Sequence, residues 1–297
     1  MLNLKEMAAC ISPSYRTLPL HYMPQKHPLT VIITIFILLF SFNAFSETQI
    51  SVCSWNLKDF GQSKSGTEIE FIANTVKAFD VIAIQEVVAG YGGPQAVARL
   101  HEALNRKGMK WDYSISEPTS SSAYKTERYA YIWKTSKLKK VGDAWLEQRY
   151  HLEIDREPYY ITLNTNGKHF TLVNFHAITK SMQPETEIKY FKFLPTIYKT
   201  HNLIFTGDFN VPQSHTVFNP LRKMGYSPSM VGQNTSLKKT CIENDCLASE
   251  FDNFFFVKSR FKNYNSGIIP FYQAFSDHNE ARLISDHVPI FFQFSLN

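Results

Sequence analysis

The sequence is short of cysteine, of net charge and of internal repetition, and each shortage excludes something. Only four cysteines stand in 297 residues, and none of their spacings resembles a zinc site. Lys and Arg number 31 against 26 Asp and Glu, a formal charge of +5. That mild excess is compatible with a polyanionic partner without establishing one. After residue 47 there is no long linker, repeat or low-complexity tract, so the remainder, about 250 residues, reads as one domain. What the chain has in quantity is apolar: 44% hydrophobic residues, with 24 Phe, 15 Tyr and 4 Trp. A disordered or fibrous chain is excluded, and a sizeable core is allowed.

Residues 1–46 differ from the rest. No Asp, Glu, Lys or Arg lies between Lys26 and Glu47, residues 29–42 (LTVIITIFILLFSF) are almost wholly apolar, and Ala44-Phe45-Ser46 follows. A short basic region, an apolar core and a small-residue exit read as a secretory signal, so residues 47–297 are expected to be secreted or periplasmic. Met23 would start a signal of ordinary length and Met1 a longer one. The alternative is a membrane anchor formed by residues 29–45, since the uncharged stretch is long enough to span. Export implies an oxidising compartment, in which Cys241 and Cys246 could bridge a short loop while Cys53 sits buried as a free thiol.

Strand-like runs rich in β-branched and aromatic residues recur at 50–57, 81–87, 129–134, 159–164, 170–176, 203–209, 253–257 and 288–294. Several are continuously apolar, as in strands covered on both faces. Helical patterns lie between them. Ile69, Ile72, Ala73 and Val76 share one face. Pro94 opens a second pattern through Val97, Leu100 and Leu104, with Gly108 as its cap. A third runs over 185–198, where Pro195 should kink or shorten it. Alternation on this scale implies a layered α/β domain.

Six strands run into polar residues: Trp55-Asn56, Gln85-Glu86, Asn174-Phe175-His176, Gly207-Asp208-Phe209-Asn210, Phe251-Asp252-Asn253 and Ser285-Asp286-His287. Taken singly each is ordinary. A Glu at a strand end is leaving the core, a lone His is more often structural than catalytic, and Asp-Phe-Asn after Gly reads as a turn. The set in this order is not ordinary. SWNL, IQEV, NFHA, TGDFN, FDN and ISDHVPI, spread over 54–290, resemble the motifs of the endonuclease/exonuclease/phosphatase superfamily. Two further segments, SEPTSSSAYKTERYAYIW (116–133) and DREPYYITL (155–163), resemble its deoxyribonuclease I branch.

The resemblance implies a four-layer sandwich, two mixed β-sheets face to face with helices outside, and an active site at one edge of the sheets. It implies that Glu86, with Asn56 beside it, holds Mg²⁺, for which Mn²⁺ could substitute. It assigns His176 and His287 as an acid/base pair, each oriented by a carboxylate, Glu127 for His176 and Asp252 for His287. Asp208 and Asp286 would hold or tune water and metal, Asn210 and Arg156 would bind the scissile phosphate, and Tyr124 would contact phosphate or sugar. The chemistry fits these residue types. A phosphodiester needs one proton taken from water and one given to an alkoxide, and imidazoles titrate near neutral pH. Oxygen ligands suit a hard cation that keeps its waters. Taken without the resemblance, Arg156 is a surface ion pair, Trp55 and Trp133 are core, and the lysines at 137, 139, 140, 238 and 239 are solvated faces.

The chain also departs from the branch. The loop bearing Tyr124 and Glu127 is one residue longer than the pattern. Vertebrate members place after the QEV tract an arginine that enters the DNA minor groove; here that position is Val88, although Arg99 from the next helix could supply the charge. Neither of their disulfides has a counterpart, which weakens the case for a structural Ca²⁺. The leading expectation is a secreted, metal-dependent endonuclease acting on DNA, monomeric and free of membrane once the signal is cut. The competing ones are a phosphodiesterase or phosphatase on lipid or inositol phosphates, a DNA-damaging toxin subunit, and a non-catalytic binding protein on the same scaffold.

Overall fold

The computed structural model describes residues 48–121, 126–243 and 245–297. In chain order the strands are β1 (Ile50–Phe60), β2 (Val81–Val88), β3 (Trp111–Ile115), β4 (Glu127–Lys134), β5 (Lys139–Lys140), β6 (Trp145–Leu146), β7 (Tyr159–Thr165), β8 (Lys168–His176), β9 (Leu203–Asp208), β10 (Tyr226–Pro228), β11 (Leu237–Ile242), β12 (Asp245–Leu247), β13 (Asp252–Val257), β14 (Phe261–Ile268) and β15 (Ile290–Leu296). One sheet has the order β14–β15–β1–β2–β4–β3, the other β10–β13–β9–β8–β7–β5 with β6 also on β7, and β11 and β12 form a hairpin. Both large sheets are mixed: β1 and β2 pair parallel, as do β8 and β9, and the remaining pairs are antiparallel.

The period-two alternation of strands sorts the side chains into layers. Ile50, Val52, Val81 and Ala83 of the first sheet meet Ile161, Leu172, Ile204 and Phe254 of the second in a core between the sheets. Cys53, Trp55, Ile82 and Ile84 point the other way. They pack on α1 (Gly66–Val76) and α2 (Gly92–Asn105) through Ile69, Ile72, Val97 and Leu100. On the far side Val173, Phe175 and Phe205 pack on Ile188 of α3 (Glu185–Ile188), Leu194 of α4 (Leu194–Ile197) and Leu221 of α5 (Asn219–Lys223). A last helix, α6 (His278–Ile284), adds Ala281 and Ile284 to the first helical layer. The layers run helix, sheet, sheet, helix, and each large apolar side chain buried among them stabilises by about 1.5–3 kcal/mol.

Local chemistry explains the helix ends. Ser65 and Glu68 form a capping box at the start of α1, with Ser65 Oγ accepting from the Glu68 amide at 3.2 Å and Glu68 accepting from the Ser65 amide at 2.6 Å. The second helix starts at Gly92, two residues before Pro94. The third pattern breaks into α3, a 3₁₀ turn over Lys189–Phe193 and α4, whose first turn contains Pro195. Cys241 and Cys246 are joined by a disulfide across the β11–β12 hairpin, and Cys53 is a buried free thiol whose pKa burial pushes well up. No helix among the described residues is long and apolar enough to cross a membrane. The expected signal, residues 1–46, lies outside the described residues.

Candidate active site

The same alternation that builds the inter-sheet core also builds the site. Val52 faces that core, so Ser54 and Asn56 share its side of β1; Leu172 places Asn174 and His176 likewise on β8, and Ile204 places Thr206 and Asp208 on β9. Moving along the strands, the space between the sheets therefore changes from apolar to hydrogen-bonded to ionisable. The middle step is a buried amide layer: Gln85 donates to Ser54 Oγ at 3.0 Å and to Asn174 Oδ1, and Asn174 donates to the Ile84 carbonyl at 3.0 Å.

At the edge the two histidines converge. His176 Nδ1 lies 3.0 Å from both carboxylate oxygens of Glu127, and His287 Nδ1 lies 2.7 Å from Asp252 Oδ2. Their Nε2 atoms both face Asp208 Oδ2, at 3.5 Å from His176 and 3.6 Å from His287. A carboxylate on Nδ1 fixes the tautomer and leaves Nε2 for chemistry. Burial lowers the His287 pKa, but Asp252 and Asp208 outweigh it and raise the value to about 10. Burial likewise lowers that of His176 and the Arg156 guanidinium adds to this, but Glu127 and Asp208 together carry the balance upward.

Backbone exceptions aim the remaining groups. Gly207 has φ +129°, and a Cβ there would stand 1.9 Å from the Phe175 carbonyl oxygen, so the close approach of β8 and β9 beside Asp208 needs glycine. Glu86 has φ +58° where the β2–β4 register shifts, and Asn210 has φ +52°. Left-handed non-glycine residues cost about 1–3 kcal/mol each and cluster at functional sites. The bulge turns Glu86 so that Oε1 stands 3.9 Å from His176 Nε2 and Oε2 accepts from the Asp59 amide at 3.2 Å. Burial raises the Glu86 pKa against the opposing pull of His176.

A divalent cation fits the donor set. Asn56 Nδ2 donates to Asp208 Oδ2 at 3.2 Å, while Asn56 Oδ1 is buried without a hydrogen-bond partner. The Asn56 side chain also acts on the half-buried Glu86 carboxylate. Two hard oxygen donors, one orphaned, are what Mg²⁺ takes. Glu86 and Asn56 would hold it. Asp208, Asp252 and His287 form the other close group of ligand-type atoms here.

Not every expected residue joins the cluster. Asp286 stands beside it; its charge helps to raise His287, but its carboxylate pairs with Arg282 at 3.6 Å. Arg156 is buried and works on the backbone: it donates to the His176 carbonyl at 3.1 Å, to the Ala177 carbonyl, and to Glu127 at 3.4 Å. Asn210 donates to the Ala177 carbonyl at 3.0 Å, and its amide donates to Asp208 Oδ1 at 2.9 Å. Tyr124 lies outside the described residues. Arg99 donates to the Lys64 carbonyl at 2.6 Å and to that of Gly61 at 3.5 Å, so two carbonyls occupy it.

Three supporting residues act through bonds that no local pattern records, and of the three only Ser285 lies in a motif read from the sequence. Thr235 donates to Asp252 Oδ2 at 2.7 Å and accepts from the Asp252 amide at 2.9 Å, which fixes the carboxylate that fixes His287. Ser285 donates to the Asn56 carbonyl and accepts from the His287 amide at 2.9 Å. Glu187 on α3 accepts from the Ile178 amide at 2.7 Å and the Asp155 amide at 3.0 Å, tying the loop after His176 to the loop before Arg156. Each acts through a partner distant in sequence.

Comparison with known proteins places this geometry. The model of the Endonuclease/Exonuclease/phosphatase family matches residues 53–287. The chain is 26% identical over 269 residues to a deoxyribonuclease of Thioalkalivibrio sp. (strain K90mix), spanning 84% of this chain and 72% of that one. It is 27% identical over 291 residues to human deoxyribonuclease gamma, spanning 86% and 90% respectively. A solved endonuclease/exonuclease/phosphatase family protein from Bacteroides thetaiotaomicron superposes with a TM-score of 0.60 at 18% identity, covering 85% of this chain and 99% of that one. The chain belongs to the endonuclease/exonuclease/phosphatase family, in its deoxyribonuclease I-like branch.

Proposed function

We propose that the protein is a secreted, metal-dependent endonuclease that hydrolyses the phosphodiester bonds of DNA, with His176 and His287 as its acid/base pair. The observation that carries this reading is the convergence of two carboxylate-backed imidazoles on Asp208. A binding module has no need of two such imidazoles, whereas hydrolysis needs a proton taken on one side of the phosphorus and given on the other. One imidazole takes the proton of the attacking water and the other delivers one to the leaving alkoxide. Glu127 and Asp252 stabilise the imidazolium forms, and Asp208 lies between them. Asn210 would bear on the phosphate, and with Arg156 it holds the loop that follows His176 through the Ala177 carbonyl. A divalent cation at Glu86 and Asn56, when bound, would neutralise charge that develops on the phosphate.

The DNA relatives supply the substrate half of the proposal, and the small positive charge is compatible with it. Purified protein with Mg²⁺, offered plasmid DNA, RNA and sphingomyelin in parallel, tests it. Cleavage of plasmid alone or ahead of RNA supports the reading; turnover of sphingomyelin with intact plasmid replaces it by the lipid phosphodiesterase. Export is tested separately. N-terminal sequencing of protein from the medium or periplasm should begin at or near Glu47, and a full-length product in the membrane fraction would favour the anchor.

A further inference from the structure

The strand that ends in the candidate active site begins at a second polar depression. β8 runs from Lys168 to His176, eight steps of about 3.3 Å, so its first residue stands about 26 Å from the catalytic imidazole. There a cavity of about 720 Å³ opens beside the start of β8, the loop before β9 and the turn before β14. Lys168, His169, Lys199, His201, Asn202 and Arg260 line it beside Asn297, the last residue of the chain, and no described Asp or Glu side chain does.

No Asp or Glu side chain pairs with these cations among the described residues. Arg260 donates to the His201 carbonyl at 3.2 Å and to Asn202 Oδ1 at 3.5 Å, and Lys168 donates to the Leu296 carbonyl at 2.9 Å. These acceptors are uncharged. Lys199 is exposed and in no ion pair among the described residues. One wall is hydroxylic: Thr171 Oγ1 lies 2.9 Å from His201 Nδ1 and 2.9 Å from Thr162 Oγ1. Full cations, imidazoles, an amide and hydroxyls around one concavity raise its potential and offer the donors that phosphate oxygens take.

We propose that this pocket is an anion site that holds phosphate groups, with Lys199 and Arg260 as its main cations. The phosphate could be free, or it could belong to DNA, and the second source rests on the function proposed above. A duplex seated at the catalytic edge is stiff over about 50 nm and does not wrap to the opposite end of the sandwich. DNA in the far pocket is therefore a second segment, or a distant stretch of one long molecule, which would keep the enzyme on its substrate between cuts.

Lys199→Glu and the double variant with Arg260→Glu test the site, since neither residue belongs to the catalytic machinery. Inorganic pyrophosphate is titrated calorimetrically into the full chain and both variants. Saturable binding by the wild type, weakened at least tenfold by the double variant, is expected, with Lys199→Gln intermediate as a check against misfolding. Absence of saturable binding, or equal binding by all forms, overturns the site. Cleavage rates on a plasmid and on a duplex of about ten base pairs, roughly 34 Å long and too stiff to bend round the sandwich from the catalytic edge to the pocket, then identify the source. Slower plasmid cutting with unchanged short-duplex cutting supports a second DNA segment; both unchanged, with pyrophosphate binding lost, supports a free phosphate anion. A wild type that cuts neither DNA sinks the proposed function and leaves the pyrophosphate result to decide the pocket.

Discussion

Asn56 gives its amide hydrogen to Asp208 Oδ2 at 3.2 Å and keeps its own oxygen buried with no partner. An orphaned buried acceptor costs about 1–3 kcal/mol, and a cation shared with Glu86 would relieve it. Mg²⁺ or Mn²⁺ should therefore raise the melting temperature of the wild type, and Glu86→Gln and Asn56→Ala should blunt that rise. At a hundredfold excess over the dissociation constant the gain is about 2.7 kcal/mol. Chelator should abolish cleavage and Mg²⁺ should restore it. Equal melting with and without metal, together with undiminished cleavage in EDTA, would remove the cation from this site.

Replacing either histidine tests the acid/base pair. His176→Ala and His287→Ala should each lower DNA cleavage by roughly 10²–10⁴-fold while leaving the circular dichroism of the folded protein close to the wild type, with a lower melting temperature because each leaves a buried carboxylate unpaired. Both imidazoles serve one step and share Asp208, so the double variant should fall well short of the product of the two losses. A folded single variant with near-normal turnover would remove that residue from the chemistry.

Glu187 provides a pH test independent of the catalytic groups. Burial outweighs its two amide donors and the nearby Arg156 and raises its pKa to about 7. An acid whose folded pKa lies above its unfolded value binds more protons when folded. Stability therefore falls as pH rises from about 4.5 to about 7, by on the order of 3 kcal/mol in full. Gln at 187 does not titrate. Glu187→Gln should cost more stability at pH 5 than at pH 8 in urea unfolding, and an equal cost at both pH values would contradict the shift.

Much of the fold and the cluster was legible because strands and motifs are local. The eight runs read as strands all became strands, and the polar ends at Asn56, Glu86, His176, Asp208, Asp252 and His287 lie at one edge of the sandwich. What was not legible depends on partners far along the chain. β14 alternates poorly, with Lys262, Asn263, Tyr264 and Asn265 exposed in a row, and is a strand because β15 pairs with it at the sheet edge. The shares of Thr235, Ser285 and Glu187 in the site depend on hydrogen bonds across 17, 229 and 32 residues, which no local pattern records. The break in the third helical pattern was readable only as the effect of Pro195; the 3₁₀ turn ahead of it was not.

The last test concerns position 88. Val88 ends β2, is 37% exposed, and packs its γ-methyl toward Gly61. It has neither charge nor reach, so it cannot enter a minor groove, and Arg99 is held by two backbone carbonyls. A cationic side chain in the groove reads width rather than bases. On the proposed function, the wild type should cut duplex DNA with weak dependence on groove width, because phosphate contacts carry affinity without sequence. Val88→Arg should sharpen the cutting pattern and steepen the salt dependence by about one phosphate-equivalent at most. The competing fate of the introduced arginine is visible in the sheet: Val88 is the register partner of Glu127 on β4, and Glu127 already serves His176 and Arg156. A guanidinium that turned inward from this position would pull on Glu127 and lower the rate without changing the pattern. Footprints on one long duplex, with rates at several salt concentrations, separate the two. A sharper pattern with a steeper slope places the new side chain at the groove, and an unchanged pattern with slower cutting places it against Glu127.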